Sequence, residues 1–281
     1  MLYIFTSGVL WGTIGLFVKT LGSLGASPSQ ICVMRMAFAF AIMSILALIR
    51  NGTKTLRLDR KTMILCALLG LISHGVFNIC YTASIRINGM GIACVLMYTA
   101  PVSTAIASWI CFHEKFSTLK IFALLVNIAG CILTATGGQI SGALNWTGLI
   151  AGLGSGFCYG MAAIFGRMAG QRSDPITVSA YSYFFAMVFL YLVLRPSFQL
   201  DAKILGTGFA YGLVPTSLAY VLYYTGISKV RDTGRVPVIA SIEPVTAIIL
   251  GLLVYGEEIG MANMIGVAVV LISIIIMVKS E

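Results

Sequence analysis

Ten long apolar segments, joined by short polar loops, dominate this sequence and limit what the chain can fold into. Each is close to the roughly twenty residues that a helix needs to cross the hydrocarbon core of a bilayer. We therefore predict ten transmembrane helices, numbered 1 to 10, at residues 2–21, 28–49, 62–84, 89–112, 117–136, 146–168, 176–194, 204–227, 234–254 and 260–278. The predicted fold class is an all-α polytopic membrane protein. Helix 1 lacks a basic flank and a small-residue cleavage site, so we expect an uncleaved span rather than a signal peptide.

The composition excludes most other classes of protein. Hydrophobic residues make up 59% of the chain and charged residues only 10%, whereas a soluble domain carries about 25% charged residues. The net charge of +9 is spread between apolar segments, so no nucleic-acid partner is expected. The seven cysteines form no CxxC pair, and we predict neither a metal site nor a cofactor.

The positions of the basic residues predict the orientation in the membrane. With the N-terminus inside, thirteen Lys and Arg residues fall on the inner side and four on the outer side, and Arg35 lies within a span. Cytoplasmic loops carry such an excess of basic residues. We therefore predict a multi-pass protein of the cytoplasmic (inner) membrane with both termini in the cytoplasm.

The second half of the chain repeats part of the first half. Eight of 35 residues are identical between residues 81–115 and 224–258, including the pairs Pro101/Pro244 and Glu114/Glu257. This predicts two five-helix repeats, at residues 1–141 and 142–281. An odd number of helices inverts the second repeat relative to the first, and inverted repeats with a site at the bilayer midplane are typical of secondary transporters.

Several residues at these positions resemble the EamA-like branch of the drug/metabolite transporter superfamily. They are Trp11-Gly12, Arg35, Pro101, Glu114, Glu243-Pro244 and Glu257. The resemblance implies a carrier whose central cavity is lined mainly by helices 1, 3, 4, 6, 8 and 9, with helices 5 and 10 at the periphery. The sequence departs from a symmetric pattern at Arg35, because the second half has Ser182 there.

Glu243 is the only carboxylate within a predicted span. Ionisable groups inside a membrane usually face a cavity or a partner. Glu243 is therefore a candidate counter-ion for a cationic or zwitterionic substrate, or a proton-coupling group. The structural alternatives are an ion pair with Arg35 or a protonated acid. Arg35, in turn, is a candidate for attracting a substrate carboxylate, for closing an external gate, or for bracing a neighbouring helix.

Polar and aromatic residues supply the other candidate substrate-binding positions. In helix 3, His74, Asn78 and Tyr81 share one face because they are spaced i, i+4 and i+7. Aromatic rings in other helices are candidates for a box around an organic cation, with packing or an interfacial belt as the alternative. The remaining candidate substrate-binding residues are Trp11, Tyr98, Tyr159, Ser217, Tyr220 and Tyr224.

Prolines within the spans predict interruptions in helices 4, 8 and 9. Each proline removes one backbone N–H and frees the carbonyl four residues earlier. We assign gating or structural roles to Arg35, Pro101, Pro237 and Pro244. Glu114 and Glu257 lie at helix ends and are expected to be caps or inter-helix anchors rather than ligands.

The function predicted from these features is secondary transport of amino acids, their derivatives or amines by alternating access. Proton is a candidate coupling ion. The alternatives are a passive channel or facilitator, a multidrug-type cation exporter and, more remotely, an intramembrane enzyme. No nucleophile elbow, HExxH motif or intramembrane Asp pair is present in the sequence, so an enzyme is not expected.

Overall fold

Ten helices are long and apolar enough to cross a membrane within the residues that the computed structural model describes, which are 1–52, 57–114, 117–139, 145–198, 201–230, 232–256, 258 and 260–279. They are α1 (Leu2–Ser23), α2 (Pro28–Asn51), α3 (Arg60–Asn88), α4 (Ile92–Phe112), α5 (Thr118–Thr136), α6 (Trp146–Gly170), α7 (Pro175–Leu194), α8 (Ala202–Lys229), α9 (Thr233–Tyr255) and α10 (Met261–Lys279). All ten predicted helices are confirmed, with boundaries that differ by at most four residues. The chain is an all-helical, multi-pass membrane protein.

Several of these helices begin after a polar residue whose side chain caps the first turn. The Ser27 hydroxyl accepts the N–H of Gln30 at the start of α2, where Pro28 occupies the first turn. Asp174 caps α7 in the same way, again before a proline. Proline is tolerated in the first turn because its missing N–H would have no helical partner there. These residues set where each span begins.

The helices pack in pairs that follow the internal repeat. If α1 to α5 correspond to α6 to α10, the contact of α3 with α6 matches that of α8 with α1, and the contact of α4 with α6 matches that of α9 with α1. The pairs α2–α7 and α5–α10 each join corresponding helices. The packing thus agrees with a doubled five-helix unit; the inverted orientation of the halves and their boundary at residue 141 remain predictions.

Glycines allow two close helix crossings. A Cβ on Gly8 would lie 2.5 Å from the carbonyl oxygen of Ala240, and a Cβ on Gly12 would lie 2.8 Å from that of Glu243. The crossing of α6 with α4 repeats this arrangement, because Gly156 and Gly160 lie against main-chain carbonyls of α4. Small residues at such crossings let membrane helices approach each other closely.

Helices α4 and α9 are interrupted at equivalent places. The first helical segment of α4 ends at Met97 and the next begins at Ala100, while α9 is interrupted at Ser241. Pro101 and Pro244 follow these interruptions by three residues in each case. The Thr99 and Ser241 hydroxyls each donate to a carbonyl three residues earlier, at 2.6 Å. The interruptions predicted from these prolines are therefore present.

A further irregularity occurs in both α3 and α8. Residues Leu69–Val76 and Gly212–Leu218 form π-helical segments, and their starting residues are 143 positions apart. Pro215 lies inside the second segment, and the Thr216 hydroxyl donates to the freed carbonyl of Tyr211 at 2.9 Å. The first segment contains no proline and was not predicted. Short π-helical segments occur frequently at functional sites.

Helices α5 and α10 pack mainly against each other. They have the smallest buried share of the ten spans, 28% of their apolar windows, compared with 56% for α6. Asn127 belongs to the buried face of α5, and its Nδ2 lies 2.5 Å from the Ser241 hydroxyl at the interruption of α9. Most of the α5 surface is therefore peripheral, while one face of the helix, which carries Asn127, reaches the interior.

Candidate substrate-binding site

An aromatic cluster occupies the contact between the two halves. The buried Trp11 ring on α1 lies 4.9 Å from the rings of Tyr220 and Tyr223 on α8, measured between centroids. Tyr159 on α6 contacts Trp11 from another side, at 6.2 Å. Three of the predicted aromatic residues, Trp11, Tyr159 and Tyr220, are thus brought together. Tyr223, which packs with them, adds a fourth ring.

Glu243 lies at one end of this cluster. It is in the first turn after the interruption of α9, and its Oε2 accepts a hydrogen bond from the Tyr159 hydroxyl at 3.2 Å. Among the described residues, no Lys or Arg nitrogen lies within 4.0 Å of the carboxylate. A tyrosine, rather than a cation, is therefore the partner of the carboxylate.

A small cavity lies beside Glu243. Its walls come from α4, α5, α6 and α9, and include Tyr98, Pro101, Asn127, Pro237 and Ser241. It has room for no more than about one water molecule. Three of the predicted residues, Tyr98, Pro101 and Pro237, thus lie at the Glu243 site, while Pro244 is buried directly after Glu243. Asn127 and Ser241 were not predicted, because a single Asn or Ser in an apolar span gives no distinguishing pattern.

Arg35 on α2 lies against Tyr211 of α8, with its guanidinium carbon 5.4 Å from the centre of the Tyr211 ring. The residue is only 9% exposed, and its Nη1 donates to the Tyr211 hydroxyl of α8 at 3.2 Å. Its Nε has no hydrogen-bond partner among the described residues. The ion pair with Glu243 that the sequence left open is not formed. The side chain also stays buried rather than extending to the membrane surface.

The three polar residues predicted on one face of α3, His74, Asn78 and Tyr81, contact different neighbours. His74 is buried, with its ring 4.8 Å from that of Tyr220 and its Nε2 3.4 Å from the Tyr224 hydroxyl. Asn78 Nδ2 donates to the carbonyl of His74 in its own helix, at 2.5 Å. The Tyr81 hydroxyl contacts the Cys94 sulfur on α4 at 3.1 Å. All three side chains therefore have protein neighbours in this conformation.

Ser217 is the last of the predicted binding residues. It lies in the π-helical segment of α8, fully buried, and its hydroxyl has no hydrogen-bond partner in the described part of the chain. Ser73, in the equivalent π-helical segment of α3, is buried and without a partner in the same way. Both hydroxyls are available to another polar group.

Glu114 connects three helices at one end of the bundle. Its carboxylate accepts the backbone N–H groups of Thr233 at 2.9 and 3.0 Å and of Gly234 at 3.3 Å, which caps the start of α9. It also forms an ion pair with Arg167 of α6, whose guanidinium lies 4.2 Å from the Phe112 ring. The prediction that Glu114 is an inter-helix anchor is confirmed. Its counterpart in the repeat, Glu257, lies outside the described residues.

A related cation–ring pair joins α1 to the end of α9. The Lys19 ammonium lies 4.4 Å from the Tyr255 ring. Tyr255 is 143 residues after Phe112, the offset that relates Pro101 to Pro244, and Arg167 is 148 residues after Lys19, the offset that relates Gly12 to Gly160. Corresponding helix ends therefore carry equivalent contacts.

A groove beside Glu114 lies on the same helices as the Glu243 cavity. The cavity and the groove share the same three helices, α4, α5 and α9, and the groove is lined by Ala105, Ser108, Leu124 and Gly234. Asp232 and Lys120, which form an ion pair, lie with Glu114 at its end. Partial burial opposes ionisation of Asp232, but Lys120 and Arg235 outweigh it and hold the pKa of this carboxyl below its usual value.

The family follows from a comparison over the whole chain. The model of the EamA-like transporter family matches residues 1–136 and 146–279. The chain belongs to the EamA-like transporter family. This confirms the resemblance found in the sequence, and the family is one of transporters.

Known proteins also align along much of the chain. An uncharacterized transporter of Archaeoglobus fulgidus is 27% identical over 273 residues, which cover 96% of this chain and 93% of the relative. The threonine/homoserine exporter RhtA of Escherichia coli K12 is 25% identical over 193 residues, which cover 66% of this chain and 61% of that protein. A crystal structure with 16% identity has a TM-score of 0.83 over 98% of this chain and 94% of its own, and shows the same fold.

Proposed function

We propose that this protein is a secondary transporter that moves small organic metabolites with a positively charged group across the cytoplasmic membrane by alternating access. The candidate substrates are amino acids, their derivatives and amines. The observation that carries this proposal is the arrangement of Glu243 beside Tyr159 and Trp11 at the contact between the halves. A carboxylate supplies the counter-charge for an ammonium group, and aromatic rings attract a cation more strongly when water is excluded.

The name of one relative supports the amino-acid part of this class. RhtA is named as an exporter of threonine and homoserine, both of which carry an ammonium group. The aromatic and weakly charged surroundings of the site also favour an amphipathic molecule. A phosphate ester would require a cluster of Arg and Lys, whereas Arg35 is the only Lys or Arg that lies more than five residues inside a predicted span.

The groove between α4 and α9 is the candidate for one of the two access routes. It lies on the same helices as the Glu243 cavity and reaches Glu114, which joins α4, α6 and α9. Separation of these helix ends widens the route, and the excess of basic residues supports a cytoplasmic location for this end. The Lys19–Tyr255 contact then lies at the external end. Because the Glu243 cavity holds about one water molecule, substrate entry requires the helices to move apart.

Glu243 is also the candidate for proton coupling. A carboxyl that loses its proton when a cationic substrate binds, and regains it on substrate release, exchanges one charge for another at the same site. This avoids leaving an uncompensated charge in the membrane interior, which is costly. Glu243 fits this role because no basic side chain among the described residues neutralises it.

Counterflow into proteoliposomes tests the proposal. Vesicles that contain the full-length protein are loaded with unlabelled L-threonine and diluted into a trace of labelled L-threonine, and parallel assays use L-homoserine and 3-aminopropan-1-ol. A carrier accumulates label transiently above its equilibrium level, whereas a channel only equilibrates it. Accumulation of any of the three supports the carrier. Equilibration without overshoot supports the channel alternative, and absence of all uptake contradicts the proposed substrate class.

A further inference from the structure

The groove beside Glu114 is open to the outer surface of the bundle. Val102 and Ile106 of α4 and Ile121 of α5 line it and are between 37% and 52% exposed. Ser108, which is 1% exposed, lies on its buried side. Exposed apolar side chains on membrane-spanning helices face the acyl chains of lipids, which are as apolar as leucine. The groove is therefore accessible from the bilayer.

The size and polarity of the groove match part of an acyl chain. Its volume is about 220 Å³, several times the roughly 30 Å³ that one water molecule occupies. Most of its walls are aliphatic side chains, namely Val102, Ala105, Ile106, Ile121 and Leu124. Cavities lined in this way stay dry and take apolar groups. In this conformation, the body of the groove suits a hydrocarbon chain.

Charged residues gather at one end of the groove, and cations predominate there. Asp232 is shared by two of them, because its Oδ2 contacts the Lys120 ammonium and lies 3.0 Å from the Nε of Arg235. Glu114 is paired with Arg167. Among the described residues, this end thus has three cations and two carboxylates. One positive charge is in excess.

The start of α5 adds to the positive potential at this end. Lys120 lies in the first turn of this 19-residue helix, where N–H groups without helical partners carry partial positive charge and favour a phosphate. In the sequence, the loops at residues 113–117 and 230–232 also contain Lys115 and Arg231, and they bring no carboxylate beyond the two in the ion pairs. An anion at this end is therefore favoured.

We propose that the groove binds an anionic phospholipid of the surrounding leaflet, with an acyl chain between α4 and α5 and the phosphate at the Lys120 end. Charge complementarity selects this occupant, because a phosphate diester carries one negative charge and the apolar walls cover a chain. Basic pockets between transmembrane helices are typical sites for anionic headgroups. The site is separate from Glu243, and the proposal does not depend on the transported substrate. Because the groove is also the candidate access route, the chain has to leave it before a substrate passes.

Photo-crosslinking in vesicles tests this assignment on the unaltered protein. The full-length protein is reconstituted in phosphatidylcholine with a trace of phosphatidylglycerol that carries a diazirine in one acyl chain, or with the matched phosphatidylcholine probe. Labelling of residues 102–108 and 121–124 is expected to be about fivefold stronger with phosphatidylglycerol, the effect of one basic residue on an anionic lipid. Ile272 and Ile275, which are exposed on α10 outside the groove, should be labelled equally by both probes.

Two variants separate the headgroup from the chain. Lys120→Gln is expected to abolish the preference for phosphatidylglycerol, and Lys61→Gln is its control because Lys61 is exposed in the first turn of α3. Val102→Trp fills the groove and is expected to remove labelling of residues 121–124. Ile110→Trp is the control on the same helix, because Ile110 is 61% exposed and does not line the groove.

The results that overturn the proposal are distinct. Equal labelling of the groove by both probes overturns the selection by charge, and labelling by phosphatidylglycerol that is as strong on α10 as in the groove overturns the location. Competition by glycerol 3-phosphate, which has the phosphate but no chain, assigns the site to a soluble anion instead of a lipid. An unchanged preference in a folded Lys120→Gln protein overturns the role of Lys120. If thermal unfolding shows that this variant is not folded, the two probes on the unaltered protein and Val102→Trp decide.

Discussion

The Glu114 carboxylate at the end of α4 accepts the backbone N–H of Thr233, the first residue of α9, at 2.9 and 3.0 Å. A helix start carries partial positive charge, which stabilises a carboxylate there. Because Glu114 also pairs with Arg167, a single negative charge holds the ends of α4, α6 and α9 together. This contact has to change if the groove is to widen at this end.

Removal of the negative charge of Glu114 is expected to increase the population of the state in which the ends of α4, α6 and α9 are separated. In Glu114→Gln the bonds to Thr233 and Arg167 lose their ionic character, which costs about 1 kcal/mol or more. A change of this size raises the population of the open state about fivefold. The measurement is labelling by a membrane-impermeant thiol reagent of a cysteine introduced at Ser108, which lines the groove and is 1% exposed. The native cysteines are first replaced.

Asp59→Asn is the control for this experiment. Asp59 pairs with Arg172 at 3.8 Å on an exposed surface, and exposed ion pairs contribute little. Labelling of the Ser108→Cys protein should therefore not change when Asp59 is replaced. Equal labelling with Glu114→Gln and Asp59→Asn contradicts the role of Glu114 as the clamp.

Gly12 and Gly15 on α1 are expected to respond differently to replacement by alanine. A Cβ at residue 12 would lie 2.8 Å from the Glu243 carbonyl oxygen, whereas a Cβ at Gly15 meets no atom within 4 Å. Gly12→Ala should destabilise the protein by about 1–3 kcal/mol, as overpacking does, while Gly15→Ala should be neutral or slightly stabilising. Unfolding of both variants in detergent checks this. Equal stability of the two argues against close packing of α1 on α9.

The charge of Glu243 is expected to control the dependence of transport on pH. Glu243→Gln keeps the size of the side chain and its ability to accept the Tyr159 hydroxyl, but it carries no titratable proton. Uptake driven by a proton gradient should be lost, and the pH profile of the remaining exchange should become flat. Transport across vesicles with imposed pH gradients measures both effects. The exposed Glu258, outside the spans, provides the control variant Glu258→Gln. A wild-type pH profile in Glu243→Gln excludes Glu243 as the coupling group.

Trp11 is expected to contribute to affinity for the ammonium group through its ring. Trp11→Leu should raise the apparent KM about five- to thirtyfold, corresponding to the 1–2 kcal/mol of a desolvated cation–π contact. Trp146→Leu is the matched control because Trp146 is 80% exposed. The apparent KM of both variants is measured by counterflow with L-threonine. An unchanged KM for Trp11→Leu assigns this ring to packing alone.

The contacts of the candidate site show the limit of sequence reasoning. The Tyr159–Glu243 bond joins residues 84 positions apart, and the Arg35–Tyr211 bond joins residues 176 positions apart. The sequence singled out Glu243 and Arg35 because charged residues are rare in a span, but it left their pairing with each other open. It gave no indication of Tyr211, since nothing distinguishes this tyrosine from the others in α8. The partner of a side chain depends on the rotation of each helix about its axis and on the angle at which two helices cross. Both depend on residues far away in the chain.

The backbone irregularities show the same limit, because some are predicted by the sequence and one is not. Pro101, Pro215 and Pro244 predict interruptions in α4, α8 and α9 because a missing N–H acts locally. The π-helical segment Leu69–Val76 contains no proline, and only the folded structure shows that it lies at the position equivalent to the segment in α8.

The ten spans and the doubled unit are determined by the sequence itself, because the bilayer requires long apolar helices and this requirement acts on each segment separately. Tertiary structure alone decides that Glu243 and Arg35 do not pair with each other and that each is bound to a tyrosine instead. The physical reason is that the membrane fixes the length and polarity of a helix, whereas side-chain packing between helices fixes its rotation and therefore its partners.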